Sequence, residues 1–234
     1  MNRVLDALYP KYCCVCNRHG SYLCDICMKR FKRNLPECYI CRKLSPQYMT
    51  HDQCKNFNSM NSVFVAWEYN ALSSKILKLF KYKNVQDIAE EISILLSGNL
   101  MNSCYNPILK NTLLVPVPTS SMRRIERGFN QTELIARYLS KRLNSDLSTD
   151  ILASKNTNRH QARQTRDARL SDMSNPFYIK NRFDIEKYKS ITIIDDVITT
   201  GRTLENICNV LRKEYGYRTK VNAICLFRGS PYYI

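Results

Sequence analysis

Ile191-Thr-Ile-Ile-Asp-Asp-Val-Ile-Thr-Thr-Gly-Arg-Thr203 sets the fold class of this chain. The apolar run from Ser190 reads as a buried strand that delivers two adjacent carboxylates, Asp195 and Asp196, to its carboxyl end. A hydroxyl-rich turn with one glycine follows, and a helix runs from Thr203 to near Gly216, a residue suited to the position just past a helix. Each feature has a physical use. Backbone N–H groups from Ile198 through Arg202 to Thr203, with the hydroxyls of Thr199, Thr200 and Thr203, can surround a phosphate. Gly201 permits a tight approach, and the positive end of the helix favours an anion. The acidic pair can accept hydrogen bonds from vicinal sugar hydroxyls or hold magnesium through water. The carboxyl edge of a parallel sheet is also where ligands sit in open α/β folds.

The rest of the pattern from Val63 onward agrees with an α/β domain. Val63-Phe-Val-Ala-Trp67 reads as a strand, and helical periodicity follows in Ile76, Leu77, Leu79 and Phe80, then in Ile88, Ile92, Leu95 and Leu96. Thr112-Leu-Leu-Val-Pro-Val-Pro118 is a short buried strand stopped by prolines. Leu134, Ile135, Tyr138, Leu139 and Leu143 mark an amphipathic helix, and Val221-Asn-Ala-Ile-Cys-Leu-Phe227 a last strand. Strands alternating with helices imply right-handed crossovers and a mainly parallel sheet flanked by helices.

At 234 residues the chain has room for one ordinary domain and a small appendage. Hydrophobic residues make up 44% and charged ones 24%, which excludes a disordered polyelectrolyte. Apolar runs fall short of the roughly 18 residues a membrane helix needs, and residues 1–12 lack the apolar core of a signal peptide. No membrane insertion and a cytoplasmic location are therefore expected. The net charge of +16 is unevenly spread: +6 in residues 1–60 and +7 in residues 112–190, against +1 in 61–111 and +2 in 191–234. Two basic stretches fit phosphorylated partners better than a uniformly solubilising surface.

Eight of the eleven cysteines precede residue 55. Cys13-x2-Cys16, Cys24-x2-Cys27 and Cys38-x2-Cys41 are knuckle-type pairs, and His51-x2-Cys54 repeats the spacing with an imidazole. An odd total and this regular spacing argue against a disulfide framework. Zinc favours four sulfur or nitrogen ligands in a tetrahedron, and one turn can present two of them. Eight ligands suffice for two closed structural sites. Joining first pair with second and third with fourth leaves short connections of 7 and 9 residues, which favours sequential pairing. One or two zinc ions are expected, depending on whether His51 and Cys54 take part. The expected division is a zinc-binding segment at 1–60 and an α/β domain at 61–234. Tyr9, Tyr12, Tyr22, Tyr39, Tyr48 and Phe57 interleave with basic residues there, either as stacking surfaces for bases or as packing around the knuckles.

The hydrophobic run, acidic pair and Thr-Thr-Gly-x-Thr turn resemble the signature of type I phosphoribosyltransferases, which bind phosphoribosyl pyrophosphate (PRPP), and all thirteen positions fit. Val115-Pro-Val-Pro118 followed by Arg127-Gly-Phe-Asn-Gln131 resembles the matching stretch of the ComF family of competence proteins, as do Thr157, Gln161-Ala162 and Arg169. That family joins a double zinc ribbon to a phosphoribosyltransferase domain, and the resemblance runs from about Cys13 to Leu226. His51 stands where a cysteine is commonly found in the family, and Arg169-Leu-Ser-Asp-Met173 is less basic than usual and lacks its Asn.

The resemblance implies that Asp195 and Asp196 form the catalytic pair that engages ribose, with Ile198 to Thr203 around the 5′-phosphate. It places Thr119, Ser120 and Ser121 at the pyrophosphate, with Arg123, Arg124 and Arg127 beside the leaving group, unless these arginines are a solvated basic loop. Guanidinium forks match phosphate oxygens. Arg159, Arg163, Arg166 and Arg169 would share one helical face, either as part of a mobile lid or as a track for DNA phosphates. Membership implies magnesium-bound PRPP, or another 5-phosphoribosyl compound, as ligand. It also implies handling of single-stranded DNA in natural transformation, with a competence helicase as partner. The alternative is an active phosphoribosyltransferase of nucleotide metabolism with its own acceptor.

Overall fold

Apolar runs bounded by glycine, proline and asparagine become strands in the structure, a computed structural model that describes residues 10–80, 85–155 and 175–229. A single helical turn, α1 (Asp25–Met28), and two 3-10 turns (Pro46–Tyr48, Asp52–Cys54) precede β1 (Ser62–Glu68). Helices α2 (Ala71–Leu79) and α3 (Val85–Met101) lead to β2 (Thr112–Pro116), and α4 (Ser121–Arg127) and α5 (Gln131–Leu143) follow it. Short strands β3 (Leu152–Ser154) and β4 (Phe177–Ile179) come next, then β5 (Ser190–Ile198), α6 (Arg202–Tyr215) and β6 (Val221–Arg228). The start of α2 shows the local logic: the Asn70 side chain accepts from the Leu72 and Ser73 amides at 2.9 and 3.1 Å, while the Asn70 amide donates to Ser73 Oγ. Such a reciprocal cap is worth about 1 kcal/mol.

β1, β6, β5 and β2 lie side by side in that order, all parallel, as expected of a chain that alternates strand and helix. Helices α3 and α5 bury Ile88, Ile92, Leu96, Ile135 and Leu139 with Phe64, Leu114 and Ile224 of the sheet. Leu204, Ile207 and Leu211 of α6 pack with Val63, Val65, Ile193 and Ala223. The alternation along each strand therefore feeds two apolar layers. β3 and β4 form a separate antiparallel ribbon, β4 lying against α6, that the apolar pattern did not foretell because each strand is only three residues long.

The cysteine-rich segment is sewn onto this core. Phe31 stacks on Trp67 and Phe227 with ring centroids 5.1 and 5.8 Å apart, and Leu23 and Tyr48 are buried in the same layer. Each buried ring contributes roughly 1.5–3 kcal/mol. The Tyr22 and Leu23 amides donate to the Glu91 carboxylate of α3 at 3.2 and 2.6 Å. Arg212 of α6 donates to the Phe57 carbonyl and the Asn61 side chain at 2.6 and 3.3 Å. Of the interleaved aromatics, Tyr39 and Tyr48 are core residues, which corrects the stacking alternative for those two, and Tyr22 is half-buried. Tyr12 and Phe57 remain 47% and 79% exposed, and Tyr9 lies outside the described residues. Among the described residues no helix is long and apolar enough to cross a membrane.

Candidate functional site

β5 runs further than its apolar stretch. Pairing with β6 continues through Val197–Phe227 to Ile198–Arg228, so Asp195 and Asp196 sit inside the strand rather than past its end. Each carboxylate accepts from the next backbone amide: Asp196 N–H to Asp195 Oδ1 at 2.9 Å, and Val197 N–H to Asp196 Oδ1 at 2.7 Å. Burial and the neighbouring Asp196 push the Asp195 carboxyl well above its ordinary range. Burial also raises Asp196, while backbone hydrogen bonds and the Arg127 guanidinium act against the rise. Two acids that resist ionising together are well suited to vicinal hydroxyls, which both donate and accept. A cation arriving at the pair would favour the ionised form.

Past Ile198 the chain turns through Gly201, which adopts φ +85° in the left-handed region, and α6 begins at Arg202. Among the described residues the amides of Thr199, Thr200, Gly201, Thr203 and Leu204 make no hydrogen bond; the Arg202 amide reaches only Thr200 Oγ1, at 3.4 Å. The turn thus presents unspent donors at the start of a fourteen-residue helix, the physical requirement for an anion cradle. Thr200, Arg202 and Thr203 are exposed, whereas the Ile198 side chain is buried and only its backbone belongs to the turn.

The loop after β2 lies on the neighbouring strand, with Pro116 paired to Ile194, and the Val117 amide extends the ladder to the Ile194 carbonyl at 2.9 Å. The Val117 carbonyl accepts from Asn130 Nδ2 at 3.0 Å and Thr132 Oγ1 at 2.7 Å, so Asn130 of the Arg-Gly-Phe-Asn-Gln stretch fastens the proline-rich turn to the start of α5. Thr119 and Ser120 are half-buried in this loop. Arg123, Arg124 and Arg127 belong to α4 rather than to a loop, and Arg124 is exposed to solvent there. Arg124 approaches Glu133 at 3.7 Å and Arg127 donates to Gln131 at 3.0 Å. A cleft of about 370 Å³ opens beside this loop, lined by Thr119, Arg124, Asn130, Ser154, Tyr178 and Lys180 among others. Arg159, Arg163, Arg166 and Arg169, with Thr157 and Gln161-Ala162, lie outside the described residues.

The eight knuckle residues gather as two quartets, Cys13, Cys16, Cys24 and Cys27, then Cys38, Cys41, His51 and Cys54, with the ligand atoms of each within 4.8 Å of one another. This is the sequential pairing. Cys16 and Cys24 Sγ are 3.5 Å apart, and Cys41 Sγ and His51 Nδ1 3.3 Å, close to the edge of about 3.8 Å that zinc–sulfur bonds of ~2.3 Å imply. His51 Nε2 lies 3.2 Å from the Leu44 carbonyl. A carbonyl can only accept, so Nε2 carries the proton and Nδ1 keeps its lone pair for a metal. Burial alone would raise Cys13, but hydrogen bonds from the amides of Cys24, Cys16 and Val15 outweigh it and bring the thiol down to about 6. Cys38 is lowered in the same way. Both quartets could hold zinc.

Three residues that the sequence did not single out for the site close its remaining side. Tyr39 packs on Gly201 and donates to Glu205 Oε1 at 3.0 Å. Arg228, at the end of β6, donates to the Tyr39 carbonyl at 2.7 Å. No local signal marks them, because Tyr39 and Glu205 meet across 166 positions.

No family model matches the chain. Competence protein F of Haemophilus influenzae is 30% identical over 198 residues, spanning 82% of this chain and 84% of that protein. The DNA utilization protein YhgH of Escherichia coli K12 is 26% identical, covering 68% of this chain and 69% of that one. A hypoxanthine phosphoribosyltransferase from Staphylococcus aureus is 16% identical over 64% of this chain and 68% of its own, with a TM-score of 0.32. Identity at this level along four fifths of both sequences, on a cysteine-rich segment joined to a parallel sheet with an acidic pair, places the chain in the ComF family of competence protein F.

Proposed function

We propose that the protein binds PRPP, or another 5-phosphoribosyl compound, with magnesium at the β5–α6 corner, and handles single-stranded DNA during natural transformation. The observation that carries the ligand half is the set of uncommitted amides of Thr199, Thr200, Gly201, Thr203 and Leu204 next to an acidic pair of which Asp195 is buried and Asp196 half-buried. In this reading Asp195 and Asp196 engage the ribose, the turn from Ile198 to Thr203 holds the 5′-phosphate, and Thr119, Ser120 and Ser121 face the pyrophosphate with Arg123, Arg124 and Arg127 near. The DNA half rests on the names of its relatives, competence protein F and a DNA utilization protein, and on two basic stretches, +6 and +7, whose lysines and arginines can release counterions from a phosphate backbone. Arg159, Arg163, Arg166 and Arg169 are the proposed track, the cytoplasm the proposed location and a competence helicase the proposed partner. Residues 1–60 act as a zinc-bound unit on the phosphoribosyltransferase-like unit at 61–234.

The cleft beside the β2–α4 loop supports a second reading, transfer of the phosphoribosyl group to an acceptor seated there. The chemistry would displace pyrophosphate at C1 of the sugar, and the protein would position reactants and stabilise charge. Calorimetric titration with PRPP and magnesium, with and without single-stranded DNA, tests both. Binding to PRPP that shifts DNA affinity supports the first reading; pyrophosphate release on adding an acceptor supports the second; no heat with PRPP rejects both.

A further inference from the structure

The wall of the phosphate turn is supplied by the second quartet. Tyr39 stands between the ligands Cys38 and Cys41, and its ring rests on the glycine backbone: a Cβ on Gly201 would lie 2.7 Å from Tyr39 Cε2 and 3.0 Å from Cδ2. Gly201 is therefore required by the tyrosine as well as by its positive φ. The Tyr39 hydroxyl donates to Glu205 in the first turn of α6 at 3.0 Å, and its carbonyl accepts from Arg228, the residue paired with Ile198 across the ladder. Arg228 Nε also lies 3.1 Å from Glu37 Oε1, next to Cys38. Arg42, following Cys41, reaches the Gly229 carbonyl at 3.5 Å, and the Gly229 amide donates to the Ile198 carbonyl at 2.8 Å. One knuckle thus touches the strand end, the turn and the helix start. The first quartet is tied elsewhere, to α3 through Glu91.

We propose that metal held by Cys38, Cys41, His51 and Cys54 keeps the 198–203 turn in its anion-binding shape through Tyr39, a positioning residue, so that metal occupancy and phosphoribosyl affinity are linked. The proposal rests on the reading of that turn given under Proposed function. A knuckle closed by four ligands is ordered by its metal as well as by packing, so the metal supplies part of the order that Tyr39 inherits. Linkage is reciprocal: whatever the metal adds to ligand affinity, the ligand adds to metal retention.

Hydrogen exchange on the zinc-loaded full chain reads the turn without any ligand. His51→Ala should lose one zinc and raise exchange of the Glu205 and Gly229 amides, which donate to the Gly201 and Ile198 carbonyls of the turn at 3.0 and 2.8 Å, about tenfold, whereas Cys16→Ser should lose the other zinc and leave them unchanged. Tyr39→Phe keeps the ring and both ions but loses the bond to Glu205, and should raise exchange of the same amides about threefold. It carries the test should His51→Ala not fold. In the wild-type chain PRPP with magnesium should slow chelator removal of one zinc about tenfold and not of the other. Unchanged exchange of the Glu205 and Gly229 amides in Tyr39→Phe, or PRPP that binds but protects neither ion or both alike, overturns the proposal. PRPP that fails to bind the zinc-loaded wild type rejects the phosphate reading instead, and the exchange data then stand alone on the mechanical link.

Discussion

Asp195 shows how a binding group can work against the fold that presents it. Its carboxyl is raised by burial and by Asp196, so the folded chain holds a proton that the unfolded chain releases. The stability contributed by that proton is full at low pH and is lost as pH rises through the raised folded value. Asp195→Asn keeps an acceptor for the Asp196 amide and removes this loss. It should gain about 0.5–2 kcal/mol over the wild type in urea unfolding at pH 8, with the gap closing toward pH 4. The same variant should lose PRPP binding in calorimetry. A variant no more stable than wild type at pH 8 would mean that the acids ionise without cost. Both acids were legible in the sequence because their place after an apolar run is a local matter. Their protonation was not, since it depends on what β6 and Arg127 bring close.

Among the elements, the join between β2 and α5 shows what the proline-rich turn needs. Prolines at 116 and 118 lack amides, so the turn has few donors of its own, and Asn130 and Thr132 take up the Val117 carbonyl. Asn130→Ala removes one of the two donors to the Val117 carbonyl and the Oδ1 that lies 2.8 Å from Thr132 Oγ1. It should cost roughly 1–2 kcal/mol in denaturant unfolding and speed exchange at Val117, with the other sheet amides unaffected. Equal protection in the variant would show that the ladder bond from Val117 to Ile194 suffices. The strands and long helices follow their apolar periods, but α4 and the β3–β4 ribbon do not. α4 is a seven-residue helix of mostly polar residues, where periodicity carries little signal.

For the whole molecule, two quartets predict two zinc ions per chain by metal analysis, and one ion would mean that His51 and Cys54 do not take part. Because Phe31, Leu23 and Tyr48 join the sheet's own core, chelation should lower the unfolding midpoint of the entire chain in one transition rather than release residues 1–60 alone. Two separate transitions would count against a shared core. Single-stranded DNA binding should weaken steeply with salt, and Arg163→Ala with Arg166→Ala should flatten the log–log slope by about 1.4, from ~0.7 per phosphate contact. An unchanged slope would move the track elsewhere on the molecule.

What could be read from residue order alone was everything built from near neighbours: the strand with its acidic pair, the glycine turn, the four knuckle pairs at one spacing and the alternation that makes the sheet parallel. These depend on backbone geometry over a few residues, where steric and hydrogen-bonding preferences act directly. What required the folded chain was the meeting of Tyr39 with Gly201 and Glu205, the hold of Arg228 on the Tyr39 carbonyl, and the His51 ring turned by Leu44. Contacts between residues 160 positions or more apart leave no periodic trace, because only the packing of the cysteine-rich segment against the carboxyl ends of the inner strands brings those groups within hydrogen-bonding distance.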